Sequence, residues 1–259
     1  MRKTLCLNKN GFNMTLILAP TPRDCHTQVI NDSCIYIFGG NNGFNLTNDF
    51  YEYDIETNLW TEITSNEYSM RPSPRQSHSA AIYDDFMYVF GGQDSAKARN
   101  DLHQFWFSTK KWTEIKGKQG DTWPSNRYNS LVTVERGKMY LYGGKDSKNT
   151  FTDFLFLDLT TLKWTEIKFS QDERPSPKIN YSLLSKRDSI VLIGGTSSKT
   201  ECFEFKLSTK SWSKIILDTL PIVVAFNHLG NVVDDNFYLI FGRCIEFKKN
   251  DLSKFINRK

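Results

Sequence analysis

Basic side chains recur along this 259-residue chain at a fixed interval: Arg23, Arg75, Arg127 and Lys178 stand 52, 52 and 51 residues apart. Three residues after each come His26, His78, Ser130 and Tyr181. Guanidinium and ammonium groups presented in series can grip carboxylates, arginine through a two-pronged fork. Further bases, among them Arg99 and Lys145, lie in the stretches between, with the aromatics Phe44, Tyr68, Trp123 and Phe151. Large aromatic side chains next to cations are the anchors that dominate interface energetics. The combination fits capture of an acidic peptide or loop of a protein partner. Acids such as Asp24, Asp94 and Asp146 share the same stretches, so the surface is mixed with a positive bias, and solvated loop charge is the plain alternative for any one of these residues.

Other chemistry finds little footing. The histidines are His26, His78, His103 and His228; two of them share one repeat position, which points to packing or turn bonding rather than to proton transfer. No phosphate-cradling Gly-rich loop ending in Lys-Ser/Thr, no H-E-x-x-H pair and no G-x-S-x-G elbow occurs. The five cysteines, Cys6, Cys25, Cys34, Cys202 and Cys244, form no C-x-x-C pair, and reduced structural thiols are expected. No catalytic, cofactor or metal site is therefore expected. The net charge of +4 is mild and spread along the chain apart from a basic end, so nucleic acid is not implied. No apolar run is long enough to cross a bilayer and no secretory core opens the chain, which reads as soluble and cytoplasmic, with the nucleus as a further compartment.

The elements that must position these residues are themselves repeated. Tyr36 to Gly40, Tyr88 to Gly92, Tyr140 to Gly144 and Val191 to Gly195 are β-type runs ending in Gly-Gly. Trp60, Trp112, Trp164 and Trp212 follow. The glycine pairs are Gly39-Gly40, Gly91-Gly92, Gly143-Gly144 and Gly194-Gly195, and their first members step by 52, 52 and 51 residues. In the second copy, Ser77 to Tyr83 and Phe86 to Phe90 flank the acidic pair Asp84-Asp85, the pattern of a hairpin. Leu102 to Phe107 and the run from Trp112 add two more strands. Each copy is thus a four-stranded antiparallel sheet in an all-β chain. Such a sheet cannot hide both faces alone, so sheets must stack face to face, and a closed ring solves the problem.

The order of a base three before His, an aromatic strand ending in Gly-Gly, Asn-Asp, Tyr51-Glu52-Tyr53-Asp54 and a later Trp resembles the kelch repeat, in four copies from residue 20 to about 216. The resemblance implies a β-propeller whose blades carry strands a to d outward from the centre, with the b–c and d–a loops on one rim. Blades are then expected at residues 20–70, 71–122, 123–174, 175–220 and, degenerate, 221–259. Five blades is the reading adopted; six, or an incomplete ring, are the alternatives. The fourth copy has Thr200-Glu201 in place of Asn-Asp, and the fifth has Arg243 where the second glycine belongs. Residues 1–19 hold a run, Phe12 to Leu18, that could close the ring by pairing with the last blade.

The functional expectation from this resemblance is a non-catalytic scaffold that binds a partner protein through the rim, at Arg23, Arg75, Arg127, Lys178, Arg99, Lys145, Phe44, Phe151 and Trp123. A substrate-recognition role with a separate ubiquitin-ligase adaptor and an actin-associated role are alternatives. A metal-dependent enzyme comes last, since the Glu-x-x-x-Asp-x-x-x-His run of iron-binding kelch propellers is missing here.

Overall fold

A computed structural model describes residues 4–6, 15–17, 19–64, 70–117, 121–169, 175, 181–194, 201–216, 229–233 and 236–240. The regular elements among them are all β-strands. β1 (Thr4–Cys6) pairs with β2 (Thr15–Ile17). Sheet 1 follows with β3 (Thr27–Asn31), β4 (Cys34–Asn41), β5 (Leu46–Asp54) and β6 (Leu59–Glu62). Sheet 2 comprises β7 (Ser79–Tyr83), β8 (Phe86–Phe90), β9 (Leu102–Trp106) and β10 (Lys111–Ile115). Sheet 3 holds β11 (Leu131–Glu135), β12 (Lys138–Tyr142), β13 (Phe154–Asp158) and β14 (Lys163–Glu166), and sheet 4 holds β15 (Tyr181–Lys186), β16 (Ser189–Gly194), β17 (Glu201–Lys206) and β18 (Ser211–Ile215). A fifth hairpin joins β19 (Leu229–Val233) to β20 (Asn236–Ile240). Within each complete sheet the strands pair antiparallel in chain order, a, b, c, d.

The inner strands β3, β7, β11, β15 and β19 lie side by side in that order, so the sheets succeed one another as propeller blades. The Phe12 to Leu18 run expected as a ring clasp supplies β2, whose partner among the described residues is β1. Cys244 and Arg243 of the degenerate copy fall outside the described residues, as do Gly195 and Lys178.

The strand alternation explains why a blade cannot stand alone. Successive side chains point to opposite faces, and strand b of sheet 2 is buried on both. Met87 and Val89 join Phe105 and Trp112 against Tyr36, Phe38 and Phe50 of sheet 1. Tyr88 and Phe90 turn the other way, onto Met139, Leu141, Leu155 and Trp164 of sheet 3. The same step repeats where Tyr140, Tyr142 and Phe154 meet Leu183, Leu192, Phe205 and Trp212 of sheet 4. The far face of sheet 4 carries a further cluster of Leu184, Val191, Ile193 and Cys202. Each repeated tryptophan from the second copy onward therefore caps the preceding sheet: Trp112 sits 5.2 Å from Phe38, Trp164 5.4 Å from Phe90, and Trp212 5.5 Å from Phe154, centroid to centroid.

The glycine pair is demanded by the neighbouring loop. Gly91 and Gly92 have φ of 61° and 92°, in the left-handed region where side chains are strained. Space excludes a side chain as well: a Cβ at Gly91 would lie 2.8 Å from the Arg127 carbonyl of the next sheet, and one at Gly92 would lie 2.7 Å from the His78 Cβ. The close approach lets the Gly92 N–H donate to Arg127 O at 2.9 Å, as Gly40 N–H does to Arg75 O, so the second glycine is a stitch between blades.

Candidate functional site

The arginines expected as free forks on the rim are instead the internal clamps of the blades. Arg75 has no exposed side-chain surface. All five of its N–H groups are used: Nε donates to Ser73 O, Nη1 to Gly91 O (2.9 Å) and Asp101 Oδ1 (2.7 Å), and Nη2 to Ser73 Oγ and Asp101 Oδ2 (2.8 Å). Arg127 repeats the set with Ser125, Gly143 and Asp153. Arg23 does so with Thr21, Gly39 and Asp49. Each guanidinium thus ties the d–a loop to the end of strand b and the start of strand c. The reason is electrostatic: a buried guanidinium is tolerable only when paired and fully hydrogen-bonded. Arg23, Arg75 and Arg127 are accordingly withdrawn from the set of partner-gripping residues.

The carboxylates report the same pairing. Burial pushes the Asp101 carboxyl up, but the hydrogen bonds from Arg75 and His103 outweigh it and hold the group well below the ordinary range. His103, on β9, spans from Asp101 Oδ2 (3.1 Å) to the Met70 carbonyl (2.9 Å), a further tether of the d–a loop.

His78, three residues after Arg75, is fully enclosed and shares a 2.7 Å hydrogen bond with Thr27 Oγ1 of sheet 1. Burial first, and the Arg75 charge second, push its pKa from 6.5 down to about 3. A group that stays neutral across this range joins blades and does not shuttle protons. Because the unfolded chain takes up a proton below pH 6.5 while folded His78 does not, its contribution to stability is complete above pH 6.5 and declines as pH falls toward 3. Thermal melting should thus fall between pH 6.5 and 4.5, and His78→Gln should remove up to about 1.4 kcal/mol per pH unit from that slope. Equal slopes for the two proteins would show that His78 titrates when folded.

Two of the three described rim aromatics are also engaged. Trp123 donates Nε1–H to the Asn100 carbonyl at 2.7 Å and meets Trp164 edge-on at 6.3 Å. Phe151 lies under the Arg127 guanidinium, 4.3 Å from ring centroid to Cζ. Both pack the loops instead of projecting from them. Arg99 is bound to Asp94, and Lys145 sits 5.3 Å from the Tyr128 ring centroid. Tyr68 and Lys178 lie outside the described residues.

Phe44 differs: 91% of it is exposed. It stands at the apex of the b–c loop of sheet 1, held there by a turn in which Asn42 Oδ1 accepts the Phe44 and Asn45 N–H groups. The equivalent loops fold in the same way. Asp94 Oδ1 accepts Ala96 and Lys97 N–H, and Asp146 Oδ1 accepts Lys148 and Asn149 N–H. These Asx turns fix the backbone and leave the apex side chains outward, so that Phe44, Lys97 and Lys148 are presented from three successive blades. The sequence carries the signal, an Asn or Asp one to three residues before each apex, but residue type alone does not separate these lysines from their paired neighbours.

Among the described residues no group of three or more His, Cys, Asp or Glu side chains is placed to hold a metal ion. Among the described residues the rim offers hydrogen-bond donors, positive charge and one largely solvent-facing ring, that of Phe44.

A family model, the KLHDC2/KLHL20/DRC7 Kelch-repeats domain, matches residues 14–195 and 118–256. The Drosophila melanogaster leucine-zipper-like transcriptional regulator 1 homolog is 29% identical over 206 residues, which cover 74% of this chain and 20% of that protein. Human kelch domain-containing protein 10 is 24% identical over 220 residues, covering 76% of this chain and 48% of the relative. Acyl-CoA-binding domain-containing protein 4 of Arabidopsis thaliana is 28% identical over 186 residues, 70% of this chain and 27% of its own. The chain thus spans about half or less of the length of these curated relatives.

Proposed function

The chain belongs to the kelch-repeat family, whose repeats form protein-interaction domains, and from that premise we propose that it captures a partner protein on its b–c loop rim, with Phe44 as anchor and Lys97 and Lys148 as flanking cations. The observation that carries this reading is the contrast within the rim: among the described candidates, Arg23, Arg75, Arg127, Arg99, Lys145, Trp123 and Phe151 each engage a neighbouring side chain, whereas Phe44 is held outward with 91% exposure. An exposed ring of this kind repays its placement when it enters a partner's pocket. The lysines on the next two blades favour a partner segment that joins an apolar residue to Asp or Glu.

Phe44→Asp should weaken binding by about 30-fold or more, the loss typical of an anchor residue. Lys97→Glu with Lys148→Glu should weaken it by less, in a manner that fades as salt rises. Affinity purification with mass spectrometry identifies the partner, and titration of the purified pair against both variants, each checked for unchanged melting, measures the effect. A partner retained at full affinity by both variants would place the site elsewhere. Recovery of a cullin adaptor or of actin as the partner would favour the ligase or the cytoskeletal role; the rim geometry favours neither.

A further inference from the structure

The ends of the sheets opposite this rim carry a second pattern. In each complete sheet the c–d turn donates a backbone hydrogen bond to the a–b turn: Ile55 to Ser33 O, Phe107 to Asp85 O, Leu159 to Gly137 O and Leu207 to Asp188 O, at 2.9 to 3.0 Å. Both turns of each complete sheet therefore lie on one face. The leading residue of the a–b turn, at positive φ in every case, is Asp32, Asp84, Arg136 and Arg187 in successive sheets. All four are exposed. The c–d turns carry exposed Glu56 in sheet 1, exposed Lys110 in sheet 2, Asp158 in sheet 3, and exposed Lys206 and Lys210 in sheet 4. The face is thus acidic at blade 1, mixed at blades 2 and 3, where Arg136 pairs with Asp188, and net basic at blade 4, where Arg187, Lys206 and Lys210 outnumber Asp188. Its acidic end also exposes Ile55 (46%) and Leu59 (43%).

We propose that this face docks a second copy of the chain. The blades succeed one another 1, 2, 3, 4 around the propeller, so a two-fold axis lying in the face and bisecting blades 2 and 3 brings blade 1 of each copy over blade 4 of the other. The same rotation brings blade 2 over blade 3. Asp32 and Glu56 then oppose Lys206 and Lys210 twice, once on each side of the axis. The aliphatic stems of the two lysines can cover Ile55 and Leu59 while their charges reach the acids. A contact of this kind is isologous and closes at the dimer.

Sedimentation velocity of the full chain tests this at about 20 mM and about 0.5 M salt, where the screening length falls from roughly 20 Å to a few Å. A dimer is expected at low salt and a monomer at high salt. Asp32→Lys with Glu56→Lys makes the blade 1 end basic, and Lys206→Glu with Lys210→Glu makes the blade 4 end acidic. Each double variant should lose dimer affinity by at least about 100-fold, since like charges then meet. An equal mixture of the two should form a dimer again, because blade 1 of each then meets blade 4 of the other with unlike sign; a folding defect could not be repaired by mixing. A wild-type chain monomeric at low salt, variants that dimerise as well as wild type, a mixture that stays monomeric, or assembly beyond the dimer would each overturn the proposal.

Discussion

Arg75→Leu is expected to destabilise the fold by about 3–5 kcal/mol, the cost of removing one partner of a buried, hydrogen-bonded ion pair. The melting temperature should fall by on the order of 10 °C for a chain of this size. The substitution leaves the Asp101 carboxylate without its fork, and it orphans the Gly91 carbonyl and the Ser73 oxygens, which Arg75 alone draws together across the d–a loop and two strand ends. Asp101→Asn should be costly too, and the double variant should lose less than the sum, because the second change relieves a charge the first has stranded. Thermal melting of the four proteins completes the cycle. Additive losses, or an Arg75→Leu protein that melts like wild type, would show that the clamp contributes nothing. One consequence concerns function: loss of partner binding on charge reversal at Arg75 and Arg127 would report a damaged blade and not a lost contact.

The second large effect is expected at the blade interface. Trp112 is 3% exposed and packs within 5.1 to 5.5 Å of Phe38, Phe50 and Phe105, ring centroid to centroid. Phe38 and Phe50 belong to sheet 1, so Trp112→Ala opens a void between two blades and should cost about 3–5 kcal/mol. Trp106 stands six residues earlier on the same sheet, is 44% exposed, and touches Phe86 from the solvent side at 5.5 Å. Its replacement by alanine should cost about 1 kcal/mol, near the median for a point change. Urea denaturation distinguishes the two by midpoint at a constant m value. Equal losses at Trp106 and Trp112 would mean that burial between sheets is not what the repeated tryptophan supplies.

The strands, their order and the need for stacking were legible before any geometry, because they depend on periodicities of two and of about 52 residues that the chain displays directly. The turns were legible for the same reason: Asp84-Asp85 and the Ser108 to Lys110 turn punctuate runs whose side chains alternate. The role of the recurring base was not. Arg75 and Lys97 are both cations in loops of one rim, and nothing local tells them apart. What separates them is Asp101, 26 residues after Arg75, with Asp49 and Asp153 at the same distance from Arg23 and Arg127, and only the folded blade brings carboxylate and guanidinium together.

Residue pattern alone settled that this chain is a series of antiparallel sheets needing neighbours, since a hydrophobic alternation with both faces apolar has no other stable arrangement in water. Which side chains remain for a partner was decided only in three dimensions. Desolvation recruits a carboxylate and a carbonyl around each buried guanidinium, and those groups meet Arg75 only after the b–c loop has returned over the strand end. An Asx turn on the same rim holds Phe44 in water, where packing asks nothing of it.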